Sequence, residues 1–314
     1  MKALVTGGAG FIGSNLVGLL VGEGHEVIIL DDLTSGYREN LRPDVVTVCG
    51  DVSIPGVATS AARSCDVIFH LAASVGNARS IDNPVRDSEV NVIGTLNVLE
   101  AARTHGISRV VFSSSAGVFG ELMALPIAED HPQNPDSPYG ASKLAAEKMC
   151  LIYNKLYGMS NVCLRYFNVY GTKQRYDAYG NVIPIFAERL LRGQEIVVFG
   201  DGEQTRDFVN VADVARANYL AGTSERASGV FNIGSGVRIS INELIRAMSE
   251  LSGESPNIVY GETRPGDVRD SLAAIGAAAL AFEFSPSVSL RVGLKGYLEW
   301  LRDDVVTAAR WHSE

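Results

Sequence analysis

An α/β fold with a doubly wound parallel sheet, followed by a smaller α/β region, is what this chain predicts, and three observations predict it. Short apolar runs recur through the first half, separated by stretches long enough for crossover helices. A glycine-rich turn follows the first of these runs. After Tyr170 the texture changes, with Gly171 to Gly180 polar and aromatic and with Pro184, Pro256, Pro265 and Pro286 punctuating shorter elements.

The first run, Ala3 to Val5, leads into Gly7, Gly8, Gly10 and Gly13 and then into a helical pattern over Ser14 to Val21. A strand, a glycine turn and a helix N-terminus form an anion site, because unpaired amides face outward where no Cβ blocks the approach of a phosphate. Gly7, Gly10 and Gly13 therefore predict a dinucleotide pyrophosphate site, although the spacing is GxxGxxG rather than GxGxxG. The second run, Val27 to Leu30, ends in Asp31 and Asp32, and Asp31 lies 18 residues after Gly13. A carboxylate there accepts ribose hydroxyls and repels a 2′-phosphate, which favours NAD over NADP. Val45 to Val48 forms the third run, followed by Asp51, a weaker candidate for the adenine amino group. Val67 to Leu71, Val110 to Phe112 and Val162 to Phe167 complete the strand series, and Val211 to Leu220 reads as a helix that returns to the first domain. The expected organisation is a Rossmann domain over residues 1–170, rejoined by 209–235, and a substrate-binding domain mainly over 171–314.

Composition bounds the function. The 314 residues are 46% apolar, enough to bury a large core. With 27 basic and 36 acidic residues the net charge is −9 and no basic cluster occurs, which disfavours nucleic acid and anionic membranes as partners. Cys49, Cys65, Cys150 and Cys163 form no CxxC pair and the five histidines lack ligand spacing, so neither a metal site nor a disulfide framework is expected. No apolar stretch reaches the roughly 18 residues of a spanning helix, and a soluble, cytoplasmic protein is expected.

The sharper chemical signal is SPYGASK, in which Tyr139 and Lys143 stand one helical turn apart and project from one face. A tyrosine titrates at about 10, so serving as a base near neutrality requires a shift of about 3 units, or about 4 kcal/mol. A lysine ammonium nearby, together with the positive nicotinamide ring of an oxidised cofactor, supplies a field of the needed sign. Upstream, RVVFSSSAGVFG is a strand whose C-terminal end presents three serines, where doubly wound sheets place ligands. Taken alone, a Tyr-x-x-x-Lys pair is a common helix-surface feature; the glycine turn and the serine-tipped strand give it chemical meaning.

At this point the chain resembles the extended short-chain dehydrogenases/reductases that act on nucleotide sugars, and within them the UDP-hexose 4-epimerases. The resemblance rests on TGGAGFIG (6–13), HLAA (70–73), Asn91 in NVIGT, SSSAGVFG (113–120), SPYGASK (137–143), RYFNVYG (165–171), FGDGEQTRDFVNV (199–211) and RPGDVR (264–269). It implies an NAD-dependent inversion at C4 of a UDP-hexose through a transient 4-keto sugar. Ser115, Tyr139 and Lys143 match the catalytic positions: Tyr139 takes the 4-hydroxyl proton, and Lys143 holds the nicotinamide ribose and lowers the tyrosine pKa. Cofactor positions implied in addition are Phe11, Ile12, Val52, Leu71, Ala72, Ala73 and Asn91. Asn168, Arg206 and Arg264 match diphosphate contacts, for which the planar arginine fork is suited. Asn181, Val182, Val197 and Phe199 match positions around uracil and ribose, and Asp267 belongs to the same RPGD segment. Relatives commonly form homodimers through helices matching Val85 to Arg103 and Tyr139 to Tyr157.

The dehydratase branch of the family carries an acidic pair where this chain has Ala116 and Gly117, which disfavours dehydration. Where some glucose/galactose-restricted members have a tyrosine, this chain has Ser271, which leaves room for a 2-acetamido group or a C6 carboxylate. A UDP-N-acetylhexosamine or UDP-uronate epimerase therefore stays open. So does a non-enzymatic NAD(H)-sensing protein, since a fold does not fix a function.

Overall fold

The computed structural model describes residues 1–120, 123–176, 181–263, 268–304 and 307–308. In chain order its strands and helices are β1 (Lys2–Thr6), α1 (Phe11–Gly22), β2 (Glu26–Asp31), β3 (Val46–Cys49), α2 (Val57–Ala61), β4 (Val67–His70), α3 (Asn77–Asp82), α4 (Pro84–Ser88), α5 (Gly94–Thr104) and β5 (Val110–Ser115). Then come α6 (Pro138–Tyr157), β6 (Val162–Tyr166), β7 (Asn168–Tyr170), α7 (Val182–Leu191), β8 (Glu195–Phe199), β9 (Thr205–Asn210) and α8 (Val211–Thr223). The chain closes with β10 (Gly229–Ile233), β11 (Arg238–Ser240), α9 (Ile241–Ser252), β12 (Asn257–Gly261), α10 (Gly276–Phe282) and α11 (Leu290–Asp303).

The main sheet runs β10-β6-β5-β4-β1-β2-β3, and every neighbouring pair in it is parallel. Its strands read as continuous apolar runs because both faces are covered. The pleat divides them: Ala3, Val5, Ile29, Phe69, Val111 and Leu164 pack with α1, α8 and α10, whereas Leu4, Leu30, Ile68, Phe112 and Cys163 pack with α2, α5 and α6. The strand order reverses between β1 and β4, so a crevice opens beyond their C-terminal ends. The returning stretch includes β10, and Ala278, Phe282 and Phe284 join the same core from farther along the chain.

A second core lies between two smaller sheets, β11-β9-β7 and β12-β8, and helices α7, α9 and α11. Pro184 proves not to punctuate an element: it is the third residue of α7. The first four amides of a helix have no intrahelical acceptor, so a proline there costs no hydrogen bond. The expected single helix from Val85 to Arg103 is α4 and α5 joined through a π-helical turn at Glu89–Ile93, an irregularity that no periodicity announces. No helix among the described residues is long and apolar enough to cross a membrane.

Candidate active site

The glycine turn occupies the crevice at the strand-order reversal. Gly7 has φ +71°, and a Cβ on it would stand 2.6 Å from the Ala72 amide nitrogen; a Cβ on Gly13 would stand 2.1 Å from the Gly7 carbonyl oxygen. Only bare backbone fits. Gly10 is the N-cap of α1 with no capping side chain, and no acidic residue lies in the first turn, so the amides of Phe11, Ile12 and Gly13 end the helix without an internal competitor for an anion. Leu71, Ala72 and Ala73, the segment after β4, form the opposing wall and are partly exposed. This is a cradle with the shape and partial charge that a pyrophosphate requires.

Asp31 closes the end of β2. Its carboxylate accepts hydrogen bonds from the amides of Ala9 (2.9 Å) and Leu33 (2.9 Å), so it braces the glycine turn as well as facing the crevice. Burial pushes its carboxyl above the ordinary range, opposed by those two amides. Asp51, after β3, accepts from Ser53 and from the Arg86 guanidinium at 2.6 Å, and neighbouring Val52 is buried. Burial raises the Asp51 carboxyl, but the bonds from Arg86 and Ser53 outweigh it and the net direction is down.

Helix α6 begins with Ser137 capping the Gly140 amide at 3.1 Å and Pro138 in its first turn. That start places Tyr139 and Lys143 on the face turned toward β5. Lys143 is buried, and its Nζ donates to the Ser113 carbonyl oxygen at 2.9 Å, with the rings of Phe112 and Tyr139 centred 5.0 and 6.0 Å away. Ser115 ends β5, its hydroxyl oxygen accepts the Gly117 amide at 3.1 Å, and it and the Tyr139 ring flank Gly117 on the same side. The three residues expected to be catalytic are thus brought together. Burial lowers Lys143 to about 8, with Asp87 opposing the shift.

Without a nicotinamide beside it, the lysine alone does not lower Tyr139: burial pushes it up to about 12, opposed by the nearby Ser115 hydroxyl and with the charge of Asp87 adding to the rise. The ammonium sits beside the ring and bonds to a backbone carbonyl, so its field at the phenol oxygen does not offset the loss of water.

Asn91 is buried in the π-helical turn, and its amide is taken up by the protein: Nδ2 lies within bonding distance of Ser74 O, Asp87 Oδ1 and Ser142 Oγ, and Oδ1 accepts from the Ser74 amide. Asp87 also accepts from the Ser142 hydroxyl. This network ties the wall after β4 to α6. Sequence reading missed Asp87 and Ser142; the only signal was Ser142 inside SPYGASK. It also missed the state of His70, whose Nδ1 meets Thr6 Oγ1 at 2.7 Å and whose Nε2 meets Thr95 Oγ1 at 3.0 Å. Thr95 gives its one hydroxyl proton to Asn91 O, so His70 Nε2 is the donor in the bond to Thr95. Burial and the Lys143 charge lower His70 to about 3.

A second brace reaches the glycine turn from the C-terminal helix. Arg175 makes a two-pronged pair with Asp304 (2.8 and 2.6 Å) and donates to Asn40 Oδ1, while Asn40 Nδ2 donates to Ala9 O at 2.8 Å. Neither Arg175 nor Asn40 carried a motif signal.

The remaining candidates lie on β7, β9, α7 and β8, around the second core. Asn168 on β7 donates to Asp207 O, and Arg206 on β9 donates to Thr205 O at 2.9 Å; both are half-buried. Asn181 is the exposed N-cap of α7, whose side chain makes no capping bond, and Val182 begins the helix. A short turn returns the chain along α7 as β8, which brings Val197 and Phe199 back toward the start of that helix. Arg264 and Asp267 lie outside the described residues.

Comparison with known proteins finds relatives over most of the chain. A putative UDP-glucose 4-epimerase of Methanocaldococcus jannaschii is 40% identical over 96% of this chain and 98% of its own length. The crystal structure of the Thermotoga maritima UDP-glucose 4-epimerase with UDP-glucose superposes with a TM-score of 0.93 at 38% identity, covering 96% of this chain and 99% of that one. The Thermus thermophilus UDP-glucose 4-epimerase complex with NAD gives 0.89 at 38% identity, covering 97% and 100%. The model of the NAD dependent epimerase/dehydratase family matches residues 3–234, and with the glycine cradle and the Ser115, Tyr139 and Lys143 cluster in one crevice, this chain belongs to that family.

Proposed function

We propose that this protein is an NAD-dependent UDP-hexose 4-epimerase of the UDP-glucose/UDP-galactose type, an isomerase that inverts C4 through a transient 4-keto sugar. The observation that carries the reading is the placement of Tyr139 and Lys143, one turn apart on α6, against Ser115 at the end of β5 and beside the glycine cradle. NAD, when bound, supplies reversible hydride acceptance. Tyr139 takes the proton of the 4-hydroxyl and returns it, and Ser115 shares a hydrogen bond with that oxygen. Lys143, fixed on Ser113 O, holds positive charge beneath the reacting group. Asn168 and Arg206 meet the diphosphate, and Asn181, Val182, Val197 and Phe199 border the base. Ala116 and Gly117 supply no further acid or base, which disfavours elimination.

Ser271 supports a second reading. It is buried and its amide bonds to Thr205 O at 3.2 Å, and a side chain smaller than tyrosine at this place suits a 2-acetamido group or a C6 carboxylate. Incubation with UDP-glucose, UDP-galactose, UDP-N-acetylglucosamine and UDP-glucuronate in turn, followed by proton NMR without added NAD, separates the two. Inversion of the glucose/galactose pair supports the first reading; inversion of another pair alone supports the second. No reaction in a sample shown to hold NAD would overturn both, and an NAD(H)-sensing role would replace them.

The functional unit is a cytoplasmic homodimer in this reading. Val85, Ile93, Leu156 and Tyr157, on α4, the π-helical turn and α6, are 68%, 47%, 63% and 51% exposed, apolar side chains suited to contact with a second copy of the chain. Sedimentation should show a dimer for the wild type and a monomer for Leu156→Glu.

A further inference from the structure

The adenosine end of the crevice carries an arginine that no motif marks. Arg86 stands on α4, and its guanidinium reaches across the loops that follow two different strands. Nη2 lies 2.6 Å from Asp51 Oδ2 after β3 and 4.0 Å from Asp32 Oδ2 after β2, while Nη1 lies 3.2 Å from Ser53 Oγ and 3.4 Å from Glu89 Oε2. The loops carrying Asp31 and Asp51 border the place where the adenosine half of a dinucleotide lies in a doubly wound sheet. Without Arg86, Asp32 and Asp51 would repel each other across that cleft. The arginine is 38% exposed in its side chain, so it spans the outer rim of the cleft and does not belong to the core.

We propose that Arg86 is a positioning residue that latches the adenosine end of the cofactor site: by clamping the loops after β2 and β3 it sets how long NAD stays bound. The proposal rests on the NAD-dependent reading above. An epimerase that returns its hydride to the same sugar must keep its cofactor through each cycle, so a slow NAD off-rate is part of the chemistry. The latch is ionic and half-exposed, so salt weakens it.

The test measures NAD dissociation from the full-length protein by fluorescence after rapid dilution, for the wild type, Arg86→Ala and Arg86→Lys, at low and high sodium chloride. Loss of charge-assisted bonds of this kind should raise the off-rate about tenfold in Arg86→Ala. Arg86→Lys, which keeps the charge and loses the fork, should fall between. High salt should raise the wild-type off-rate and leave that of Arg86→Ala nearly unchanged. With NAD saturating, the KM for the sugar nucleotide should not move, and melting temperature provides the control for a general loss of structure. Equal off-rates in wild type and Arg86→Ala would overturn the latch, as would a change confined to melting temperature. A wild type that binds no NAD would overturn the cofactor reading itself, a distinct outcome.

Discussion

Lys143 Nζ lies 6.0 Å from the centre of the Tyr139 ring while it donates to the carbonyl oxygen of Ser113. The charge is beside the tyrosine, yet the phenol of the free protein is pushed up to about 12 by burial. A base competent near neutrality therefore needs a further positive charge, and the oxidised nicotinamide of a bound cofactor has that sign.

Two outcomes follow for Tyr139. Tyr139→Phe should abolish C4 inversion and leave NAD binding intact, measured by NMR turnover and by cofactor content. In ultraviolet difference titration, with Tyr139→Phe as reference, the phenol should ionise near pH 12 in the free protein, and loading with NAD should move it down by more than a unit. Full activity in the variant, or an unmoved titration, contradicts the assignment.

His70 makes stability fall in acid. Its folded pKa of about 3 lies below the unfolded value near 6.5, so between these pH values the unfolded chain takes up a proton that the native ring refuses. Stability from this group is whole above pH 6.5 and is lost as pH falls toward 3, by up to roughly 5 kcal/mol. Urea midpoints of His70→Gln should show a flatter acid limb than wild type.

Gly13→Ala should disturb the cradle directly. Its Cβ would press on the Gly7 carbonyl oxygen, a backbone atom that cannot rotate away. Loss of bound NAD on purification and a destabilisation of about 1–3 kcal/mol are expected; normal cofactor content would count against the cradle.

Beneath the serine strand, Arg165 and Glu147 form a buried two-pronged pair at 2.9 and 2.7 Å, and Glu147 also accepts from Ser114. Glu147→Gln leaves an uncompensated buried guanidinium and should cost about 3–5 kcal/mol in denaturant unfolding. The double change Glu147→Leu with Arg165→Met should recover most of that loss.

Much of this was legible in the chain. The glycine turn, Asp31 and the Tyr139 to Lys143 spacing are local patterns, and local backbone geometry is what short spacing encodes. Pro184 misled because a helix start and a loop use the same residue for different reasons. The π-helical turn was invisible because Glu89 to Ile93 reads like any other stretch of helix, while Asn91 within it bonds to Ser74, Asp87 and Ser142, partners set by the tertiary fold.

By itself, then, the sequence determined the strand runs, the glycine turn and the Tyr139 to Lys143 spacing on one helix face, because each depends on residues within a turn or two of one another. The tertiary structure alone decided which carboxylates are paired, as with Arg86 on Asp51 and Arg175 on Asp304, and the protonation of buried groups such as His70, Lys143 and Tyr139. Those properties arise from partners far apart in the chain and from the water that folding removes, and neither is written in any local pattern.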